Sequence, residues 1–113
     1  MKQLLLVALL GFWATGSLAH SPLQTTVPAN ETTVSEAPSE ITMGFKGGIR
    51  LTRISMRHAD HASVDLDLDG FKGFISDYVI PLQAMGPGVY IIEWRGLGSD
   101  GHAMNGSFRF TVE

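Results

Sequence analysis

The sequence predicts an all-β domain, an antiparallel Greek-key sandwich or barrel of seven or eight strands. Three observations predict it. The apolar residues recur in short alternating runs rather than at helical spacing. Gly, Pro, Asn and Asp punctuate those runs at short intervals. No heptad, internal repeat or low-complexity tract competes with that pattern.

The elements follow in order. Leu23–Val27 is a short strand stopped by Pro28-Ala29-Asn30, and Thr32–Val34 a second, stopped near Pro38. Ile41, Met43 and Phe45 share one face of a third, which ends at Lys46-Gly47-Gly48. Ile49–Arg57 begins with Ile49 and Leu51 on one face and continues with Ile54 and Met56 on the other. That phase switch predicts a bulge near Thr52-Arg53. Ser63–Leu68 places Val64, Leu66 and Leu68 inward and Asp65 and Asp67 outward. Asp77–Leu82 is short and broken by Pro81.

After the turn Met85-Gly86-Pro87-Gly88, Val89–Arg95 is the strongest strand, with Tyr90, Ile92 and Trp94 on one face and Trp94 read as core. Ser107–Val112 closes the chain with Phe108, Phe110 and Val112 inward. The segment Gly96–Gly106 is expected to loop between these last two strands.

Ahead of the strands stands a different kind of segment. Met1-Lys2 is followed by a mostly apolar, uncharged run over residues 4–16, and Ser17-Leu18-Ala19 ends in small residues. This order is that of a secretory signal peptide, residues 1–19, cleaved after Ala19, and the run is short of the ~20 residues that span a bilayer. The working domain is then 20–113, 94 of the 113 residues, with 7 basic side chains against 11 acidic. That balance offers no footprint for nucleic acid. Cysteine is absent, which removes disulfides, thiol catalysis and Cys-based zinc sites.

Cleavage after Ala19 makes His20 the N-terminal residue, so its α-amine and imidazole can close on one metal ion as a chelate. Near the other end, Gly98-Ser99-Asp100-Gly101-His102 supplies a second imidazole and a carboxylate. A nitrogen-rich donor set with one carboxylate suits tetragonal Cu(II), the most tightly held divalent ion of its row on such ligands.

These residues carry a family resemblance. Ile80–Val112, IPLQAMGPGVYIIEWRGLGSDGHAMNGSFRFTV, resembles the C-terminal half of CopC-type periplasmic copper-binding proteins: the Trp-Arg strand, the Ser-Asp-Gly-His loop and the Gly-x-Phe-x-Phe-x-Val end. His20-Ser21-Pro22-Leu23 through Thr26-Val27-Pro28-Ala29 resembles the family's mature N-terminus, while residues 46–79 match loosely. The resemblance implies a cupredoxin-like or immunoglobulin-like β-barrel and a Cu(II) histidine brace. His20 would bind through its amine and Nδ1, His102 would complete the equatorial set, and Asp100 would lie axially or behind the ligands. It implies copper buffering, carriage or delivery in the periplasm, with no reaction of its own and an inner-membrane CopD-like transporter as partner. A monomer with no membrane anchor after cleavage is expected. Ala103 stands where many members have Pro. Met43, Met56, Met85 and Met104 are scattered singly, so one Cu(II) site and no Cu(I) site is expected, with Met104 packing into the last strand and a weak thioether ligand beside His102 as the rival reading.

Two other readings share the features. Copper monooxygenases use a similar brace, so a small redox enzyme is one alternative; a metal-free sandwich module for adhesion is the other. His58-Ala59-Asp60-His61 reads as a solvated loop, with an auxiliary metal site as its rival. Asp65-Leu66-Asp67-Leu68-Asp69-Gly70 opens like a calcium loop, but Ser76 occupies the place of its bidentate Glu.

Overall fold

A computed structural model describes residues 22–113, all of it strand, turn and loop. Seven strands run in chain order: β1 (Leu23–Val27), β2 (Thr32–Val34), β3 (Glu40–His58), β4 (Val64–Asp65), β5 (Ile75–Pro81), β6 (Gly88–Gly98) and β7 (Ala103–Val112). The all-β expectation holds. The main pairing order is β1-β3-β6-β7-β2, with β4 and β5 also joined to β3. Every pairing is antiparallel except β2 with β7, which is parallel.

β3 organises the domain. The sequence divides it at Lys46-Gly47-Gly48, yet it is one strand of 19 residues. Its first half lies between β1 and β5, where Thr42 faces both Val27 and Val79. Its second half pairs with β6 and β4, where Ser55 faces both Glu93 and Asp65. The glycines therefore turn a corner instead of ending a strand. Gly47 sits at φ 89°, a conformation that side chains resist, and the β3–β5 register shifts between Gly44 and Ile49. Tyr78 secures the corner: its buried hydroxyl donates to the Ile49 carbonyl and accepts from the Leu51 amide.

The expected bulge is present. The β3–β6 register shifts between Leu51 and Arg53, leaving Thr52 as the extra residue. This insertion reverses the phase of the alternation, so Ile49, Leu51, Ile54 and Met56 all face the core.

Around them gather Ile41, Met43, Phe45, Tyr78, Ile80, Tyr90, Ile92, Trp94, Phe108, Phe110 and Val112, all buried. Trp94 meets Phe45 edge to face with ring centroids 5.1 Å apart, and Tyr90 stacks on Phe110 at 5.0 Å. Trp94 faces Gly106 across the β6–β7 ladder. A Cβ on Gly106 would lie 2.9 Å from the buried indole, closer than side chains tolerate, so the ring or the strand must shift. Gly106→Ala is therefore expected to destabilise by about 1–3 kcal/mol, the ordinary cost of overpacking. Chemical denaturation of the variant checks this; an unchanged midpoint would contradict the packing described.

Four further strands differ from expectation. The Asp77–Leu82 strand runs from Ile75 to Pro81, so Pro81 ends it rather than breaks it. The Ser63–Leu68 strand shrinks to Val64–Asp65, and Val64 is exposed because no element covers this short edge. Leu66 and Leu68 do pack against the core. Asp65 pairs with Arg53 at 3.1 Å, and Asp67 accepts from the Asp69 amide, so these carboxylates serve an ion pair and a turn. β6 and β7 each extend toward the other, and the expected loop Gly96–Gly106 contracts to residues 99–102.

Candidate metal centre

The contracted hairpin tip holds both described candidate ligands. Gly98 and His102 bracket it: the Gly98 amide donates to the His102 carbonyl at 2.9 Å, and the Gly101 amide to the Gly98 carbonyl at 2.9 Å. Gly101, at φ 87°, makes the reversal without side-chain strain. Between them Asp100 folds back on His102 with both oxygens. Oδ1 accepts from the His102 amide at 3.0 Å, and Oδ2 accepts from ring Nδ1–H at 2.8 Å.

That arrangement assigns roles within the imidazole. With Nδ1 donating to the carboxylate, Nε2 carries the lone pair. The ring is largely exposed, with 79% of its side chain accessible. A carboxylate behind a histidine fixes the tautomer and ring orientation and raises ligand basicity. Asp100 thus stands behind His102 as a positioning group.

The pair also shifts two titrations. The Nδ1 hydrogen bond, reinforced by charge, raises the His102 pKa above its ordinary value. The same bond, with the backbone amide, holds Asp100 below the usual carboxylate range. The Asp100 contribution to stability is present above its unfolded pKa and lost as pH falls through the lowered value. The His102 contribution is full below the unfolded pKa and lost as pH rises through the raised one. The pair accordingly supports the loop in mildly acid solution, between those limits. We expect Asp100→Asn to bring the His102 titration down toward about 6.5, the unperturbed value. An NMR titration of the imidazole protons checks it, and an unmoved midpoint would deny the carboxylate its role.

His20, the expected third member, lies outside the described residues, as does the segment read as a signal peptide. Among the described residues no three His, Asp or Glu side chains gather as a metal cluster. Asp100 and His102 by themselves do not make a metal cluster among the described residues. Met104, near the tip, packs partly buried against the core and against Gly98.

The histidine pair at the opposite end of the hairpin meets the solvated-loop expectation only in part: Ala59, Asp60 and His61 are exposed in a turn, but His58 is not. His58 is the last residue of β3 and is buried. Its Nε2–H donates to the Pro87 carbonyl at 2.8 Å, and Nδ1 is enclosed without a partner. Tyr90 lies against its ring, with centroids 4.6 Å apart. His61 stacks on it nearly parallel, at 17°, and donates from Nδ1 to the His58 carbonyl. Stacked rings do not converge their lone pairs on one ion. The signal in the sequence was the alternation Ile54, Met56, His58, which carries the inward face of β3 one residue further than the apolar pattern shows.

The family model described as the CopC domain matches residues 23–113. The chain belongs to the CopC family. This member is 28% identical to Copper resistance protein C of Escherichia coli over 110 residues, 88% of this chain and 86% of that protein. It is 26% identical to Protein YobA of Escherichia coli strain K12, over 84% of this chain and 80% of that one. Among solved structures, CopC from Methylosinus trichosporium OB3b superposes with a TM-score of 0.63 at 24% identity, over 83% of this chain and 94% of that one. PcoC, a copper resistance protein from Escherichia coli, superposes at 0.58 with 25% identity, over 82% of this chain and all of that one. The CopC fold is thus shared along nearly the whole described domain.

Proposed function

We propose that this CopC family member binds Cu(II) as cargo after export, holding it between the N-terminal amine and imidazole of His20 and the Nε2 of His102. The observation that carries the reading is the Asp100–His102 pair, which presents one oriented, exposed imidazole nitrogen and no complete site of its own. Chain direction supports the other half. Pro22, two residues after His20, accepts from the Lys46 amide, and the same strand pairs at Ile49 with Gly98 beside the tip. The described chain thus begins at the end of the domain that carries His102. The Copper resistance protein C relative supports copper as the metal.

The role is buffering, carriage or delivery in the periplasm, with a CopD-like inner-membrane transporter as recipient or donor and no reaction of its own. Residues 1–19 direct export and are removed. No helix among the described residues is long and apolar enough to cross a membrane.

Two substitutions test the location of the site. His102→Ala removes the only oriented imidazole of the tip, so Cu(II) affinity is expected to fall by more than the roughly 10–100-fold typical of losing a supporting group. His58→Ala should leave copper binding intact while lowering the melting temperature, because it empties a buried position. Competition titration against a chelator, with thermal unfolding of both variants, reads the two effects. Copper lost from His58→Ala and kept by His102→Ala would move the site to the other end of the hairpin.

A further inference from the structure

The charge on this domain is segregated. All five arginines of the chain, Arg50, Arg53, Arg57, Arg95 and Arg109, lie on β3, β6 and β7 and are exposed. The strand register places them on one outer face in successive rows: Arg50 with Leu97 and Ala103, Arg53 with Arg95 and Asn105, Ser55 with Glu93 and Ser107, Arg57 with Ile91 and Arg109. Their inward neighbours Leu51, Ile54, Met56, Trp94 and Phe108 are core.

This is an unfavourable arrangement for the isolated domain. Arg53 and Arg95 stand directly opposite across the strands, where like charges repel. Asp65 relieves Arg53, and among the described residues the side chains of Arg50, Arg57, Arg95 and Arg109 have no ion-pair partner. Glu93 is the one carboxylate on β3, β6 or β7 within the rows; Asp65 of β4 lies beside Ser55 in the same row, and Glu31 borders them beside the Arg109 backbone. Between Arg53, Arg95, Ser63, Glu93, Asn105 and Ser107 runs an open groove of about 460 Å³.

We propose that this face docks an acidic segment of a partner protein, with Arg53 and Arg95 as the carboxylate-binding centre of the groove. Charge complementarity selects the occupant: a concentrated cationic face on a chain whose net charge is −3 attracts anionic groups and steers their approach. The exclusive use of arginine fits forked, two-point recognition of carboxylates, which lysine does not provide. Glu93 distinguishes a protein from a lipid surface. A carboxylate at the centre of the rows is repelled by a uniformly anionic membrane, whereas a patterned protein surface can place a donor opposite it. The row ending at Ala103 borders the hairpin tip, so a partner docked here lies beside His102. The observations are independent of any metal.

The test is fluorescence anisotropy of labelled decaglutamate with the processed, copper-free protein, at low and at physiological ionic strength. Binding is expected to weaken with salt, to fall about fivefold or more in Arg95→Gln through loss of a charge-assisted pair, and to strengthen in Glu93→Gln. Lys46→Gln and Lys72→Gln, off this face, should change it little. Equal losses from Arg95→Gln and Lys46→Gln would mean that net charge alone is sensed, and would overturn the proposal. So would absence of peptide binding combined with Arg95-dependent binding to phosphatidylglycerol vesicles, which would make the face a membrane surface. Melting temperatures confirm folding of each variant, and an unchanged Cu(II) titration of Arg95→Gln keeps this result separate from the fate of the copper site.

Discussion

A chain with one extra residue ahead of His20 is expected to bind Cu(II) roughly a hundredfold or more weakly than the chain beginning at His20, a loss of about 3 kcal/mol at 1.4 kcal/mol per tenfold. The extra residue converts the His20 nitrogen from an amine into a peptide amide. It removes one ligand and breaks the chelate without touching the rest of the sequence. His102 and Asp100 keep their geometry, so folding and thermal stability of the copper-free protein should not change. The pH dependence has a definite sign. The amine, with a reference pKa of about 7.7–8.0, and the imidazoles must lose protons to bind, so affinity rises with pH. His102, raised by Asp100, keeps its proton to a higher pH than an ordinary histidine does. Chelator competition on both chains, with an electron paramagnetic resonance spectrum at one equivalent of Cu(II), gives the comparison. Equal affinity and an unchanged spectrum for the extended chain would rule out the brace and leave His102 with partners other than the amine.

Trp94→Ala is expected to produce the largest loss of stability. A buried Trp truncated to Ala costs about 3–5 kcal/mol. A domain of this size has roughly 5–14 kcal/mol in all, so the variant loses a large share of it, and the melting temperature should drop by about 12–30 °C. The cause is specific. The indole fills the space over Gly106 and meets Phe45 edge to face, so truncation empties a large volume in the core. Trp94→Phe separates shape from polarity. Indole Nε1 is buried without a hydrogen-bond partner, so its removal leaves no acceptor stranded. The Phe variant should therefore lose much less than the Ala variant. Far-UV circular dichroism melts of both measure the difference; equal losses would show that ring volume over Gly106 is not what Trp94 contributes.

The fold was legible where one face of a strand is buried. Alternation in Ile41–Phe45, Tyr90–Trp94 and Phe108–Val112 reports burial directly, because neighbouring side chains point to opposite faces. The bulge at Thr52 was legible for the same reason, as a break in phase. Alternation fails where a strand has no neighbour to bury it, so Val64 was misplaced. It also fails where a strand continues through glycine, so β3 was divided at the corner that Gly47 turns. His58 was misread because a histidine carries no hydropathy signal for the inward face. Its burial depends on Tyr90 and on the Pro87 carbonyl, which are distant in sequence.

The site divides in the same way. Asp100 and His102 were recognisable from the sequence because two residues at that spacing on a glycine turn meet locally, and the hydrogen bonds at 2.8 and 3.0 Å are the realisation of that short range. The arginine face was invisible, since Arg53 and Arg95 are 42 positions apart and only the register sets them opposite. By itself the sequence determined the fold class, the family and the chemical identity of the candidate ligands, because periodicity, short motifs and donor type are local properties. Tertiary structure decided which imidazole is exposed and oriented, which is locked in the core, and which charges share a face. Those outcomes depend on strand pairing over long separations, where a shift of one residue turns every side chain to the other side of the sheet.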